Sequence, residues 1–338
     1  MNKKKYVNRN YLTTTRIIAL GFLITVIVGT ILLSLPIASA NGTWTDLLTA
    51  AFTSTTSVCV TGLVVVDTFS YWSLFGKGVI LILIQIGGLG IVSIITLFML
   101  LLRMKITLKS TMLLQDAFNL NSKQGLLKFT IKVIKGTFLI EGIGALIYSF
   151  YYCRGYGFLK GIWFSVFHAV SAFCNAGIDI MGADSLISYH SNLLMMLNTS
   201  FLIIMGGIGF IVWWDTVEAF RRIRTKRCSI RSAWNGVHLQ TKIAIFMTLL
   251  LLIGGTIVIY FLERSNPDTL GNLSEKDRIL NAFFQSVTFR TAGFAAVSQV
   301  ALRPVTAFFG VLLMMIGGSP VGTAGGMKTV TIAVIFYT

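Results

Sequence analysis

The chain alternates long apolar runs with shorter semi-polar stretches, in an order that repeats three times. Apolar runs at residues 17–35, 136–152 and 243–262 open the units. Semi-polar stretches mixing apolar and polar side chains follow at 44–57, 161–173 and 276–288. Second apolar runs, at 79–102, at 193–214 and from 305 onward, close them. A helix needs ~20 mostly apolar residues to cross ~30 Å of hydrocarbon, which suits the opening and closing runs. The middle stretches, about 13 residues and so roughly 20 Å of helix, fall short and predict re-entrant helices. The expected fold is all-α and polytopic, with tandem helix–pore helix–loop–helix repeats over residues 1–110, 111–231 and 232–338.

Each middle stretch ends in a motif that aligns without gaps: FTSTTSVCVTG from Phe52, FHAVSAFCNAG from Phe167 and FFQSVTFRTAG from Phe283. Glycine pairs follow in the closing runs, at Gly87 and Gly88, Gly206 and Gly207, and Gly317 and Gly318. The loops read Cys59-Val60-Thr61-Gly62, Cys174-Asn175-Ala176-Gly177 and Arg290-Thr291-Ala292-Gly293. Non-helical backbone at membrane depth is tolerated only where protein or water surrounds it, so loops converging on one axis would line a pore. Glycine permits positive φ, which lets carbonyls face one way, and a ring of carbonyls can replace a potassium ion's hydration shell. Helix C-termini aimed at the same point favour a cation. A single glycine of this kind reads as helix packing; three in register read as a filter. Arg290 is expected to turn off the axis, toward the loop's own backbone or a nearby acid, because a fixed cation on the path repels potassium.

The third closing run is interrupted by GGSPVGTAGGMKTV at 317–330. The apolar part before it, 305–316, is too short to span. A glycine-rich break at this depth is costly unless it lines a cavity, and an intramembrane charge such as Lys328 marks function. The residues singled out are Gly317, Gly318, Ser319, Gly322, Thr323, Gly325, Gly326, Lys328 and Thr329. A nucleotide P-loop is excluded, because Met327 stands where that motif needs glycine before lysine and no strand precedes it.

Composition fixes the solvent. With 55% hydrophobic and 12% charged residues the chain cannot cover a water-facing surface. The net charge of +16 would suggest nucleic acid, but the basic residues concentrate at 1–16, 103–135 and 221–242, with Asp116 the one acid among them. The segments between carry mixed charge. That is a positive-inside pattern, placing the N-terminus and basic loops in the cytoplasm of a multi-pass cell-membrane protein. Cys59, Cys153, Cys174 and Cys228 have no CxxC spacing, and His168, His190 and His238 form no ligand cluster with them. No paired carboxylates or Ser/His/Asp set suggest an enzyme, and no covalent cofactor is expected. Lys3 to Lys5 and Ala38-Ser39-Ala40 mimic a signal peptide, but the run between them exceeds the ~7–15 residues of a signal's apolar region, so a retained first helix is expected.

The three motifs, with QIGGLG and MGGIGF, resemble the first three filters and second helices of the Ktr/Trk/HKT superfamily. The likeness is greatest to the membrane subunit of bacterial Ktr-type potassium uptake systems and covers nearly the whole chain. It implies a potassium-channel-like pore of four units. Gly62, Gly177 and Gly293 would decide potassium preference, and 317–329 would form an intramembrane gate beneath the filter. It also implies potassium uptake with sodium as a candidate coupling ion. A homodimer and a cytoplasmic ring of nucleotide-binding regulatory subunits complete the expected assembly. Up to Thr338 the sequence holds three of the four pore walls, without the fourth unit's arginine that faces the gate. The alternative is a truncated, non-conducting homologue that only assembles with partners.

Of four further features, three have two readings each. Glu141 lies in an apolar run and faces either a polar partner near the pore or the membrane edge. Asp215 and Glu218 lie beside Arg221 and Arg222 as solvated pairs. Asp67, after the first filter, concentrates cations or caps a loop. The basic stretch RRIRTKRCSIR at 221–231 suits anionic lipid, at about 1 kcal/mol per Lys or Arg, or a cytoplasmic partner.

Overall fold

A computed structural model describes residues 14–90, 93, 94, 96, 126–182, 184–226 and 229–337. Its regular structure among those residues is helical. The first unit holds α1 (Thr14–Ser34), the short helix α2 (Leu47–Val58), a single turn α3 (Thr68–Tyr71) and α4 (Leu74–Leu89). The second holds α5 (Leu126–Tyr156), α6 (Phe158–Cys174), α7 (Leu193–Gly207) and α8 (Phe210–Lys226). After a linking helix α9 (Ile230–Asn235), the third holds α10 (Leu239–Glu263), α11 (Glu275–Thr288), α12 (Pro304–Met315) and α13 (Thr329–Tyr337).

The short helices begin where side chains can satisfy their first N–H groups. Asp46 accepts from Leu48 and Thr49 at the head of α2, and Ser274 accepts from Asp277 at the head of α11. α1, α5 and α10 are long and apolar enough to cross a membrane. The closing runs differ from the expectation of plain spans. α4 ends at Leu89, with Gly90 at φ +78°, and most of 91–102 lies outside the described residues. The run 193–214 is two helices, α7 and α8, bent by 98°. The bend falls at Gly209, whose φ of +97° only glycine adopts freely.

Burial is reversed relative to a water-soluble helix bundle. Leu23, Ile24 and Ile31 of α1 and Phe246, Ile253 and Phe261 of α10 are more than half exposed, while Ser57, Ser171, Thr199, Thr241 and Ser286 are fully buried. Apolar side chains outside and hydroxyls inside are stable only with hydrocarbon as solvent. Two of the buried hydroxyls reach a neighbouring helix: Ser54 donates to the Val26 carbonyl at 2.8 Å and Ser286 to that of Leu252 at 3.0 Å. Gly29 and Gly255 make room for them, since a methyl group at either would lie under 2.5 Å from the serine oxygen. α2 and α11 are thus seated against their units' first spans, and α6 packs on α5. α4 packs on α6 and α7 on α11, joining the units in sequence.

Candidate functional site

The three short helices unwind in the same way. Val60, Asn175 and Thr291, second in their loops, have φ of +55°, +58° and +67°. Gly62, Gly177 and Gly293, fourth in their loops, have φ of +83°, +65° and +84°. Thr61, Ala176 and Ala292 between them stay out of the left-handed region. Alternating the sign of φ cancels the half-turn between successive peptide planes, so carbonyls can share one side. A left-handed non-glycine residue is uncommon, and three at one motif position are a shared design rather than strain at one site.

Each loop is braced by its own helix. Backbone N–H groups of Thr61, Ala176 and Ala292 return to the carbonyls of Thr56, Ser171 and Thr288 at 2.9–3.0 Å. Hydroxyls in the same turns clamp the residue after each glycine. Thr56 accepts from the Leu63 N–H at 3.0 Å, Ser171 donates to the Ile178 carbonyl, and Thr288 donates to the Phe294 carbonyl at 2.7 Å. The sequence reading missed these clamps, although the hydroxyl residues stand in all three motifs. Behind the helices, Gly87 and Gly206 let the closing helices touch the Val58 and Phe173 carbonyls, where a Cβ would come within 2.1 and 1.9 Å.

The loops converge. A Cβ on Gly62 would lie 2.6 Å from the Ala176 carbonyl oxygen, and one on Gly177 would lie 2.5 Å from that of Ala292. Loop two therefore sits between loops one and three. A cavity of about 400 Å³ opens on the remaining side, lined by Cys59, Val60 and Thr61 of loop one, Thr291 and Gly293 of loop three, and Gly325.

The glycine-rich segment from Gly317 to Lys328 lies against these loops. Ser319 and Thr323 donate their N–H groups to the Gly207 and Gly206 carbonyls, at 2.8 and 3.0 Å, and Phe210 donates to Val321 at 2.8 Å. The bend between α7 and α8 is thus filled by this segment, which takes up backbone groups that a straight helix would pair internally. Gly209 lies so close that a Cβ would come 2.5 Å from the Pro320 carbonyl oxygen. Side chains of two of these loops reach the same segment. Asn175 donates to the Thr323 hydroxyl at 2.6 Å, Thr291 accepts from the Gly325 N–H at 3.0 Å, and Arg290 donates to the Gly317 carbonyl at 3.1 Å. The Arg290 guanidinium thus meets the third closing run rather than its own loop or an acid. Lys328 donates to the Ala324 carbonyl at 2.7 Å, within its own segment, and Ser319 bonds Thr329 at 2.8 Å.

The residues with two readings are resolved in part. Glu141 is buried, and its carboxylate accepts from Gln85 of α4 at 3.1 and 3.3 Å. It sits at a junction of units one and two, beside a largely apolar cavity of about 340 Å³. Asp67 caps α3, accepting from the N–H groups of Phe69 and Ser70 and the Ser70 hydroxyl. Partial burial alone would raise its carboxyl, but these donors and nearby Lys77 hold it below the usual value. Glu218 pairs with Arg222 at 3.6 Å, whereas Asp215 pairs with His238 and accepts from Thr241 rather than from an arginine.

The family described as TrkH, cation transport protein, matches residues 3–338. The chain belongs to the TrkH family. Among its relatives, the potassium/sodium uptake protein NtpJ of Enterococcus hirae is 39% identical over 97% of this chain and 69% of its own. The Ktr system potassium uptake protein B of Bacillus subtilis is 38% identical over 99% and 72%. The crystal structure of the potassium transporter TrkH from Vibrio parahaemolyticus superposes with a TM-score of 0.65 at 16% identity. It shares the fold over 99% of this chain, which spans 63% of that one. TrkH-family membership and this fold agree with the all-α, channel-like architecture expected from the repeats.

Proposed function

We propose that this chain carries potassium into the cell through a filter of backbone carbonyls, with 317–329 as an intramembrane gate. The observation that carries the reading is the alternating backbone signature of the three loops, each braced by its own helix and meeting at their glycines. The helices behind the loops end there, so their dipoles favour a cation. The units are residues 1–110, 111–231 and 232–338, and the cavity between loops one and three is where a fourth wall completes the ring. The segment 317–329 gates because hydrogen bonds hold its non-helical backbone against two filters and the α7–α8 bend.

The relatives' names include potassium and sodium uptake, which supports potassium as the carried ion and sodium as a coupling ion. The N-terminus and the basic residues of 221–231 face the cytoplasm, where they meet anionic lipid and a ring of nucleotide-binding regulatory subunits beneath a homodimer. The test is growth at micromolar potassium of cells that lack uptake systems and express the protein carrying this chain. Growth supports the reading, and absence of growth with the protein present in the membrane overturns it. A loop shortened within 317–329 should raise potassium flux, and unchanged flux in a folded variant removes the gate.

A further inference from the structure

We infer that Thr323 is the latch of the gate, holding it through the second filter; this rests on the gating role proposed above. One hydroxyl makes two bonds in opposite senses. It accepts from the Asn175 amide at 2.6 Å and donates to the Phe173 carbonyl at 2.9 Å. Asn175 occupies the left-handed second position of filter two and is 1% exposed. The Phe173 carbonyl belongs to the last turn of α6, at the negative end of that helix. The backbone N–H of Thr323 is held in turn by the Gly206 carbonyl at 3.0 Å, at the end of α7. A single gate residue therefore joins a pore helix, a filter loop and the bend in the second unit.

The geometry makes release costly in a specific way. Moving the loop off the axis withdraws the acceptor from a buried amide and the donor from a buried carbonyl together, leaving them only their long 3.5 Å contact with each other, and poorly paired buried groups are expensive. The remaining ties from filter side chains, Thr291 to Gly325 and Arg290 to Gly317, both come from filter three and reach backbone atoms of the gate. Thr323 alone ties the gate to filter two by its side chain, so its hydroxyl can be deleted without altering the filter or the loop backbone. Thr323 acts as a positioning residue, setting how often the gate stands open and not which ion binds.

The test compares Thr323→Val, Thr323→Ser and a variant shortened within 317–329, each in the protein carrying this chain. Potassium uptake is measured over a range of concentrations in cells lacking uptake systems, at matched membrane abundance. Thr323→Val should raise the maximal rate by about tenfold at unchanged KM, the change expected when one buried hydrogen-bond pair stops biasing an equilibrium. Thr323→Ser, which keeps the hydroxyl, should stay near the parent. Thr323→Ala replaces the valine variant if that accumulates poorly, with the same expected rise. A shortened loop that raises flux beside a Thr323→Val or Thr323→Ala rate equal to the parent overturns the latch and leaves the gate standing. A shortened loop without effect overturns the gate, and the latch with it.

Discussion

Replacing Gly177 with alanine probes the proposed filter at its most crowded point. An L-residue at φ +65° carries left-handed strain of roughly 1–2 kcal/mol. The new methyl would also lie 2.5 Å from both the Ala292 carbonyl oxygen and the Gly293 Cα. That is about 1 Å inside the ordinary 3.5–4.0 Å contact. Both neighbours are backbone of the third filter, so relief must come from moving carbonyls rather than rotating a side chain. With tenfold in an equilibrium for every 1.4 kcal/mol, the strain and the displacement together should lower the preference for potassium over sodium by about tenfold or more. The assay is uptake of each cation by cells lacking their own systems, at equal membrane abundance of parent and variant. Gly254→Ala is the control, because nothing lies within 4 Å of a methyl there. It should behave as the parent. A Gly177→Ala protein with the parent's rate and cation preference would refute the filter reading and return this glycine to a packing role.

Three further outcomes follow from the same geometry. Thr288→Val removes the clamp on the Phe294 carbonyl and should lower thermal stability in detergent by about 1 kcal/mol, with a lowered potassium preference. Glu141→Leu leaves the Gln85 amide without its acceptor and should cost about 1–3 kcal/mol, whereas Glu141→Gln keeps an oxygen for it and should cost less in the same melt. Asp67→Ala loses the α3 cap and should cost about 1 kcal/mol at neutral pH. Because the Asp67 carboxyl is held below its usual value in the fold, its contribution is complete above the ordinary carboxylate range. It is lost as pH falls through the depressed value, so parent and variant should converge in stability in strong acid.

The repeat was legible because its signals are local. Short semi-polar stretches end in Phe-to-Gly motifs of constant length, and the helices Leu47–Val58, Phe158–Cys174 and Glu275–Thr288 form within a few residues of the expected bounds. The left-handed turns at Gly62, Gly177 and Gly293 follow from glycine itself. Asparagine tolerates the left-handed region, so Asn175 is compatible with its turn, but nothing in the side chains of Val60 or Thr291 favours positive φ; there the turn is imposed by the clamps and the neighbouring loops. The 98° bend at Gly209 was hidden inside an apolar run of ordinary length. It depends on the Ser319, Val321 and Thr323 backbone more than 100 residues away, and no local pattern reports that. Glu141 could not be placed from sequence either. Its partner Gln85 lies in another unit, and only the packing of both α4 and α5 on α6 brings the two together.

The central claim is that three loops with one backbone signature form a filter that passes potassium. Cation influx into lipid vesicles holding the purified protein that carries this chain tests it directly. The account predicts saturable potassium influx well above sodium influx, abolished or made unselective by Gly177→Ala. Folded protein that passes no potassium, or passes sodium equally well, would contradict it.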